Sequence, residues 1–375
     1  MRTILAEKLG IDAPIFAFSH CRDVVVEASK AGAIGVLGCV GFTPEELEVQ
    51  LDWIDARIGD KPYGIDVVMP EKDPWADEPD LDKLHQRLKS MIPPETIAYA
   101  KKVLADNGVP ELPAGTQHEG DYLIRSTAAT ALRHVEIALK HPKVRLVANA
   151  LGAPPAEVTK LIKDSGRIVA GLCGEVSQAK KHAEAGVDII IAQGTEGGGH
   201  TGEIGSLVLW PEVVEAVAPI PVLAAGGVGS GAQIAAALML GAQGVWTGSL
   251  WLTTIESDLT EQQRELLIEA RSRDTTRSRS LTGKPCRMLK NEWTKAWEVP
   301  GAPKTLALPL QDIVAAEATS RARAYPDKAK NVTINPVGQI VGRLNKVERT
   351  RDVVYRLIEE YFDAVERFKP LSSYE

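Results

Sequence analysis

The chain has 375 residues, 44% of them hydrophobic, with a formal charge of −7 spread along its length. That length fits one large barrel domain with decorations or two average domains, with side chains enough for a sizeable core. No basic face is clustered as a nucleic-acid surface requires, which excludes that partner but not phosphate, since backbone N–H groups bind an anion without net positive charge.

Cys21, Cys39, Cys173 and Cys286 are widely spaced and form no C-x-x-C pair, so neither a zinc site nor a disulfide framework is indicated. The N-terminus lacks the apolar run of a signal peptide, and no run is long enough to span a bilayer, so a cytoplasmic protein without a membrane partner is expected.

In chain order, strands are expected at Pro14–Phe18, Ala33–Leu37, Tyr63–Met69, Val144–Leu151, Arg167–Cys173, Asp188–Gly194, Pro221–Gly227 and Gly244–Ser249. These runs are apolar throughout, as a parallel strand buried on both faces must be. Helices are expected between them at Thr43–Ile58, Ala156–Asp164, Ser177–Ala185, Pro211–Val217 and Ser230–Leu240, capped at Thr43, Ser177 and Ser230. Thr43-Pro44-Glu45-Glu46 sets a hydroxyl cap, a first-turn proline and acids at the positive end of the helix dipole. Eight strands alternating with helices point to a closed TIM-type (β/α)8 barrel; the alternative is an open doubly wound sheet.

Two regions exceed a minimal barrel. Residues 70–125 leave the C-terminal end of the third strand, the catalytic face of such barrels, and carry Pro70, Pro74, Pro79, Pro93, Pro94, Pro110 and Pro113. So long a connection is expected to be functional, here a cover over the barrel mouth. After Glu256 the alternation stops, and helices are expected at Thr260–Arg271, Gln311–Ala324 and Arg349–Phe368. The resulting division is a barrel over 1–255 that includes the insertion, and a mainly helical extension or lid over 256–375. In the last helix Val354, Leu357, Ile358, Tyr361 and Val365 share a face, as packing on the barrel requires; apolar faces on these added helices would also suit a homodimer.

The segment Val222-Leu223-Ala224-Ala225-Gly226-Gly227-Val228-Gly229-Ser230-Gly231 is a buried strand that ends in glycines and opens a helix. Glycines let backbone approach an anion, and a helix N-terminus offers unpaired N–H groups. The next strand also ends on a glycine and a hydroxyl, Gly248-Ser249. One such turn would be only a turn; two on the last two strands, where barrels place phosphate, point to a phosphate held on the amides of Gly226, Gly227, Gly248 and Ser249.

The sixth strand closes on Gln193 and runs into Glu196-Gly197-Gly198-Gly199-His200-Thr201-Gly202. Gly198 and Gly199 remove side-chain bulk, so a flat ring could lie against the backbone. His200 then stands beside that ring, able to exchange a proton near neutral pH. A lone loop histidine is more often a hydrogen-bonding strut; its place at a barrel strand's C-terminal end favours catalysis. His20, just past the first strand, is the other histidine placed to face the site, and no histidine–carboxylate cluster has metal-ligand spacing.

At these residues the chain resembles the nitronate monooxygenase family, once called 2-nitropropane dioxygenases. Glu196-Gly197-Gly198-Gly199-His200-Thr201-Gly202 looks like the family's E-A-G-G-H-x-G element, with Gly197 in place of alanine. Ala224-Ala225-Gly226-Gly227 and Gly241-Ala242-Gln243-Gly244-Val245-Trp246-Thr247-Gly248-Ser249 look like its phosphate-binding strand ends. Gly41-Phe42-Thr43-Pro44-Glu45-Glu46 and Thr282-Gly283-Lys284-Pro285-Cys286-Arg287 fit as well. The resemblance covers most of residues 10–295 and implies FMN, with Phe18, Asp66, Gln193, Gly198 and Gly199 around the ring. Three places depart from the family: Ser19-His20 stands where a proline–methionine pair is usual, Asp66 where an asparagine is usual, and Pro336-Val337-Gly338-Gln339 where W-A-G-Q is usual.

Three functions follow for a small-molecule substrate. An oxygen-using flavoenzyme would oxidise an alkyl nitronate or a similar small substrate beside His200, the flavin carrying the electrons. An NAD(P)H-dependent FMN reductase would reduce a quinone, an enoyl thioester or another activated alkene, a reading the departures favour. A non-redox lyase or isomerase would hold a phosphorylated substrate at the glycine turns, as the fold alone permits.

Overall fold

A computed structural model describes residues 1–69, 80–113, 116 and 127–372. Its strands are β1 (Ile15–Ser19), β2 (Ile34–Gly38), β3 (Tyr63–Val67), β4 (Val144–Asn149), β5 (Ile168–Cys173), β6 (Ile189–Gln193), β7 (Gly199–His200), β8 (Val222–Ala225), β9 (Gly244–Thr247), β10 (Thr275–Ser278) and β11 (Cys286–Leu289). Eight of them close a parallel barrel in the order β1-β2-β3-β4-β5-β6-β8-β9, with β9 returning to β1. The expected (β/α)8 barrel is therefore present; β1 and β2 lie one residue later than expected at the same length, and the other six barrel strands are one to three residues shorter than their apolar runs.

Alternation along the strands fills two compartments. Phe16, Ile34, Val36, Leu146, Ile191 and Trp246 point to the barrel axis, while Ile15, Leu37, Ile65, Val147 and Ile190 point to the helices. Both faces are buried, which is why the sequence shows no polar alternation. The floor is plugged by a helix the sequence reading missed, Ile4–Leu9, which sends Leu5, Ala6 and Leu9 into the interior cluster. Thr3 caps it by accepting from the Ala6 amide, and Gly10 ends it at φ 70°.

Thr43 and Ser230 cap helices as expected. Thr43 forms a full capping box with Glu46, and the Ser230 side chain accepts from the Gln233 amide. Ser177 does not. The helix there is Val176–Glu184 with Glu175 at the capping position, and the Ser177 hydroxyl donates to the Glu175 carboxylate instead. The helix expected from Pro211 begins five residues earlier, at Ser206, with Pro211 inside it. The start that proline suggested is overridden because Glu196 caps the true one.

The added regions build a second core. The helices Leu81–Ser90 and Pro94–Asp106 of the insertion pack on Glu292–Ala296 and Leu310–Ala324 of the C-terminal part, through Leu84, Leu88, Leu104, Trp293, Trp297 and Ile313. Tyr99 meets Trp297 edge-on at 5.5 Å between ring centres. The rest of the insertion, residues 70–79, 114–115 and 117–126, lies outside the described residues, and the expected cover over the mouth falls partly there. The C-terminal extension also holds strands: β10 and β11 form an antiparallel pair whose outer edge takes up β7. The last helix, Thr350–Ser372, lies on Gly231–Met239 so closely that a Cβ on Gly231 would fall 2.1 Å from the Tyr361 amide nitrogen. Among the described residues no helix is long and apolar enough to cross a membrane.

Candidate functional site

The C-terminal ends of the barrel strands form a mouth with two unlike sides. On the β8–β9 side the lining is backbone. Gly226 and Gly227 have φ of 88° and 73°, a region L side chains rarely adopt. A Cβ on Gly226 would fall 2.7 Å from the Gly194 carbonyl oxygen, and one on Gly227 3.2 Å from Glu196 Cβ. Gly248 is different: its φ is −126°, and an added Cβ would meet only Phe18 Cδ1, at 3.7 Å. No protein acceptor among the described residues meets the amides of Gly226, Gly227, Gly248 or Ser249.

The helix after Gly227 is less open than its glycines suggest. The Gly229 amide donates to Gln233 Oε1 at 2.8 Å, and the Gly231 amide donates to Glu360 Oε2 at 2.8 Å. A carboxylate from the C-terminal helix thus already occupies this positive helix end. The Ser249 hydroxyl accepts from the Gly338 amide at 2.9 Å, which ties the β9 end to the segment standing where W-A-G-Q is usual.

On the β1–β3 side the lining is side chain. Phe18 stacks on Trp246 at 5.8 Å and meets His20 edge-on at 5.2 Å. Asp66 follows Gly64, whose Cβ position faces the interior residue Leu146, so Asp66 points to the axis as well. It is 7% exposed, makes no side-chain hydrogen bond among the described residues, and has Oδ1 fully enclosed. Burial alone raises its pKa to about 7.

The β6 end joins the two sides. Gln193 Nε2 reaches back to the Gly198 carbonyl at 3.4 Å. Gly199 has φ 76° with open space where a Cβ would stand. Gly198 is closely approached on its Cβ side: that position lies 2.7 Å from the Gly338 amide, so the missing side chain admits the 337–338 segment. Glu196 takes the Ser206 amide at 2.9 Å and the Ser206 hydroxyl at 2.8 Å, fixing the helix that follows. Arg287, buried in β11, donates from Nε to the Thr195 carbonyl at 2.7 Å and steadies the same turn.

His200 sits in β7 opposite Cys286 of β11, and its Nε2 is 2.7 Å from Thr282 Oγ1. That bond leaves Nδ1 as the ring atom available to a ligand. The residue is exposed, yet protein crowds the ring. That crowding, and then the charge of Lys284, lowers its pKa to about 4. At neutral pH the ring is uncharged, able to take up a proton but holding none to spare, a narrower role than the two-way exchange expected. Thr282, Glu196, Glu360 and Gly338 went unassigned in the sequence. Thr282, Glu196 and Gly338 lie inside quoted motifs; Glu360 carried no signal, since its contact spans 129 residues. Among the described residues no group of His, Cys, Asp and Glu could hold a metal.

The family model for nitronate monooxygenase matches residues 2–360. Rv1533 of Mycobacterium tuberculosis, provisionally named a monooxygenase, is 44% identical over 99% of both chains. A Staphylococcus haemolyticus protein provisionally named a nitronate monooxygenase is 28% identical, over 78% of this chain and 79% of its own. Among solved structures, the nitroalkane oxidase of Streptomyces ansochromogenes superposes with a TM-score of 0.78 at 24% identity, covering 97% of this chain and 99% of that one. FabK of Thermotoga maritima superposes with a TM-score of 0.73 at 23% identity, covering 99% of each. At such identities the two structures speak for the fold alone.

Proposed function

The chain belongs to the nitronate monooxygenase family and is an oxidoreductase, and from that premise we propose that it binds FMN and oxidises an alkyl nitronate or a similar small carbanion-like substrate with dioxygen. The observation that carries the reading is the mouth's division of labour: unpartnered amides at Gly226, Gly227, Gly248 and Ser249 on one side, and an uncharged His200 with Nδ1 free at the end of β6. These residues fit the cofactor. The four amides suit its phosphate, while Phe18, Gln193, Gly199 and the unpartnered carboxyl of Asp66 would border its ring. FMN, when bound, supplies the electron-accepting chemistry; the protein supplies position and electrostatics.

In this reading His200 Nδ1 meets the substrate and handles its proton, while Thr282 fixes the ring through Nε2. Glu196 and Arg287 hold the turn so that the ring keeps its place. The side chains at His20 and Asp66, which differ from the family's usual pair, favour weighing a second reading, in which NAD(P)H reduces the flavin and an activated alkene or quinone takes the electrons.

The test is direct. The purified protein should be yellow with a flavin spectrum. Under anaerobic conditions a nitronate should bleach it, and admitted oxygen should restore the colour. Bleaching by NAD(P)H but not by nitronates would select the second reading. A colourless protein that takes up no FMN would sink both.

A further inference from the structure

Two of the places where this chain departs from its family, His20 and Asp66, meet across Gly38. Gly38 of β2 pairs in register with Asp66 of β3, while the β1–β2 register, Ser19 with Leu37, brings His20 beside it. A Cβ on Gly38 would fall 2.5 Å from His20 Nδ1, so the glycine makes room for the imidazole. His20 Nδ1 lies 3.2 Å from the Gly38 carbonyl oxygen. A carbonyl only accepts, so Nδ1 carries the ring's proton and Nε2 keeps its lone pair. No hydrogen bond occupies Nε2 among the described residues, and the residue is exposed although protein crowds its ring, with Phe18 edge-on to it.

Asp66, on the other side of Gly38, is a nearly buried acid with no partner. The titratable groups around the two are few. Cys39 follows Gly38 on β2, and its thiol is held well up by burial; β4 presents Ala148; the charge of Asp258 reaches His20 from beyond β9. Burial lowers the His20 pKa and raises that of Asp66 to about 7, so near neutrality the first is uncharged and the second holds a proton much of the time.

We propose that His20 and Asp66 form a proton-abstraction pair for a small carbon acid: Nε2 of His20 removes a hydrogen from the carbon next to a nitro or carbonyl group, and the Asp66 carboxyl donates its O–H to the oxygen on which charge gathers. This rests on the oxidoreductase reading and extends it from preformed nitronates to neutral precursors. In the step the C–H bond breaks, an N–H bond forms on His20, and the electron pair stays on the substrate, shared between carbon and oxygen. Nothing is oxidised until the carbanion enters the oxidation already proposed. The imidazolium then returns its proton to water. A base and an oxygen-directed donor facing one space are what such a step requires, and a carboxylic acid kept neutral by burial can be that donor.

The experiment follows nitroethane in D2O by proton NMR, reading exchange of its α-hydrogens with the purified holoenzyme, alongside anaerobic flavin bleaching by nitroethane and by its preformed nitronate. The parent should exchange and bleach with nitroethane. His20→Asn should lose nitroethane exchange by about a hundredfold or more, yet be bleached by nitronate at nearly the parental rate. Nitrogen-15 NMR should show His20 protonated at Nδ1 and bare at Nε2. In the parent the exchange rate should fall as pH rises through about 7, and Asp66→Asn, which keeps an N–H donor but cannot ionise, should remove that fall. Exchange no faster than in buffer, parental exchange in His20→Asn, or a proton on Nε2 in place of Nδ1 would each overturn the pair. Exchange without bleaching by either substrate would leave the pair standing and remove the oxidoreductase reading.

Discussion

The two sides of the barrel mouth are built from different materials. Around β8 and β9 the lining is peptide backbone, exposed because glycines carry no side chain; around β1 to β3 it is side chain, from Phe18, His20 and Asp66. Backbone recognition depends on the chain's path, so it survives changes of reaction. Side-chain lining can be exchanged residue by residue, and two of the three places where the sequence departs from the pattern of the family it resembles, His20 and Asp66, stand there. The contrast teaches where to look for cofactor and where for substrate.

The widest break between the sides should come from His200→Asn. The variant keeps a polar side chain of similar reach but cannot exchange a proton near neutral pH. Turnover of the preferred substrate should fall by about two to four orders of magnitude, while flavin stoichiometry and melting temperature stay near the parent. Normal turnover would reduce His200 to an orienting residue, and joint loss of flavin and stability would make it a strut for the turn.

Gly248→Leu should do the reverse. Its φ of −126° suits any residue, and the first atom added would meet only Phe18, so the fold should persist. The rest of the side chain would enter the mouth beside the amides of Gly248 and Ser249. The expected result is folded protein with little or no flavin by absorbance. Full retention would put the phosphate elsewhere. This position tests the placement more cleanly than Gly226 or Gly227, where positive φ would strain any replacement.

The smallest effect belongs to Glu360→Gln. Glu360 accepts from the Gly231 amide and sets a negative charge at the positive end of the helix beyond the phosphate turn. Losing that charge should cost about 0.3–1 kcal/mol of stability in a denaturant titration and leave flavin bound. Loss of flavin would mean that the Glu360 contact is needed to hold the β8–β9 turns in shape.

These differences also explain what was legible. Eight strands could be read because both faces of each are buried, which writes an unbroken apolar run. The glycine turns could be read because backbone held at positive φ, as at Gly226 and Gly227, leaves a mark in composition. β7, β10 and β11 could not. A two-residue strand has no periodicity, and Thr275–Ser278 reads as a polar loop until it finds β11. The Ile4–Leu9 plug was hidden by its brevity. The approach of Gly338 to Gly198 could not be read either, because a missing side chain says that something comes near without saying what. Thr282 and Glu360 act through contacts 82 and 129 residues away in sequence, which no local pattern encodes.

The antiparallel pairing of β7 with β11 has a consequence for how the protein is made. The barrel strands are complete once Thr247 has left the ribosome, but His200 is held only after Cys286 and Arg287 emerge, Ser249 is tied down only by Gly338, and the phosphate-side helix is sealed only by Glu360. Each of these closures bridges a long stretch of chain, whose entropy is spent before the contacts form. A nascent chain released before its last helix would carry all eight barrel strands but a mouth still open at these points.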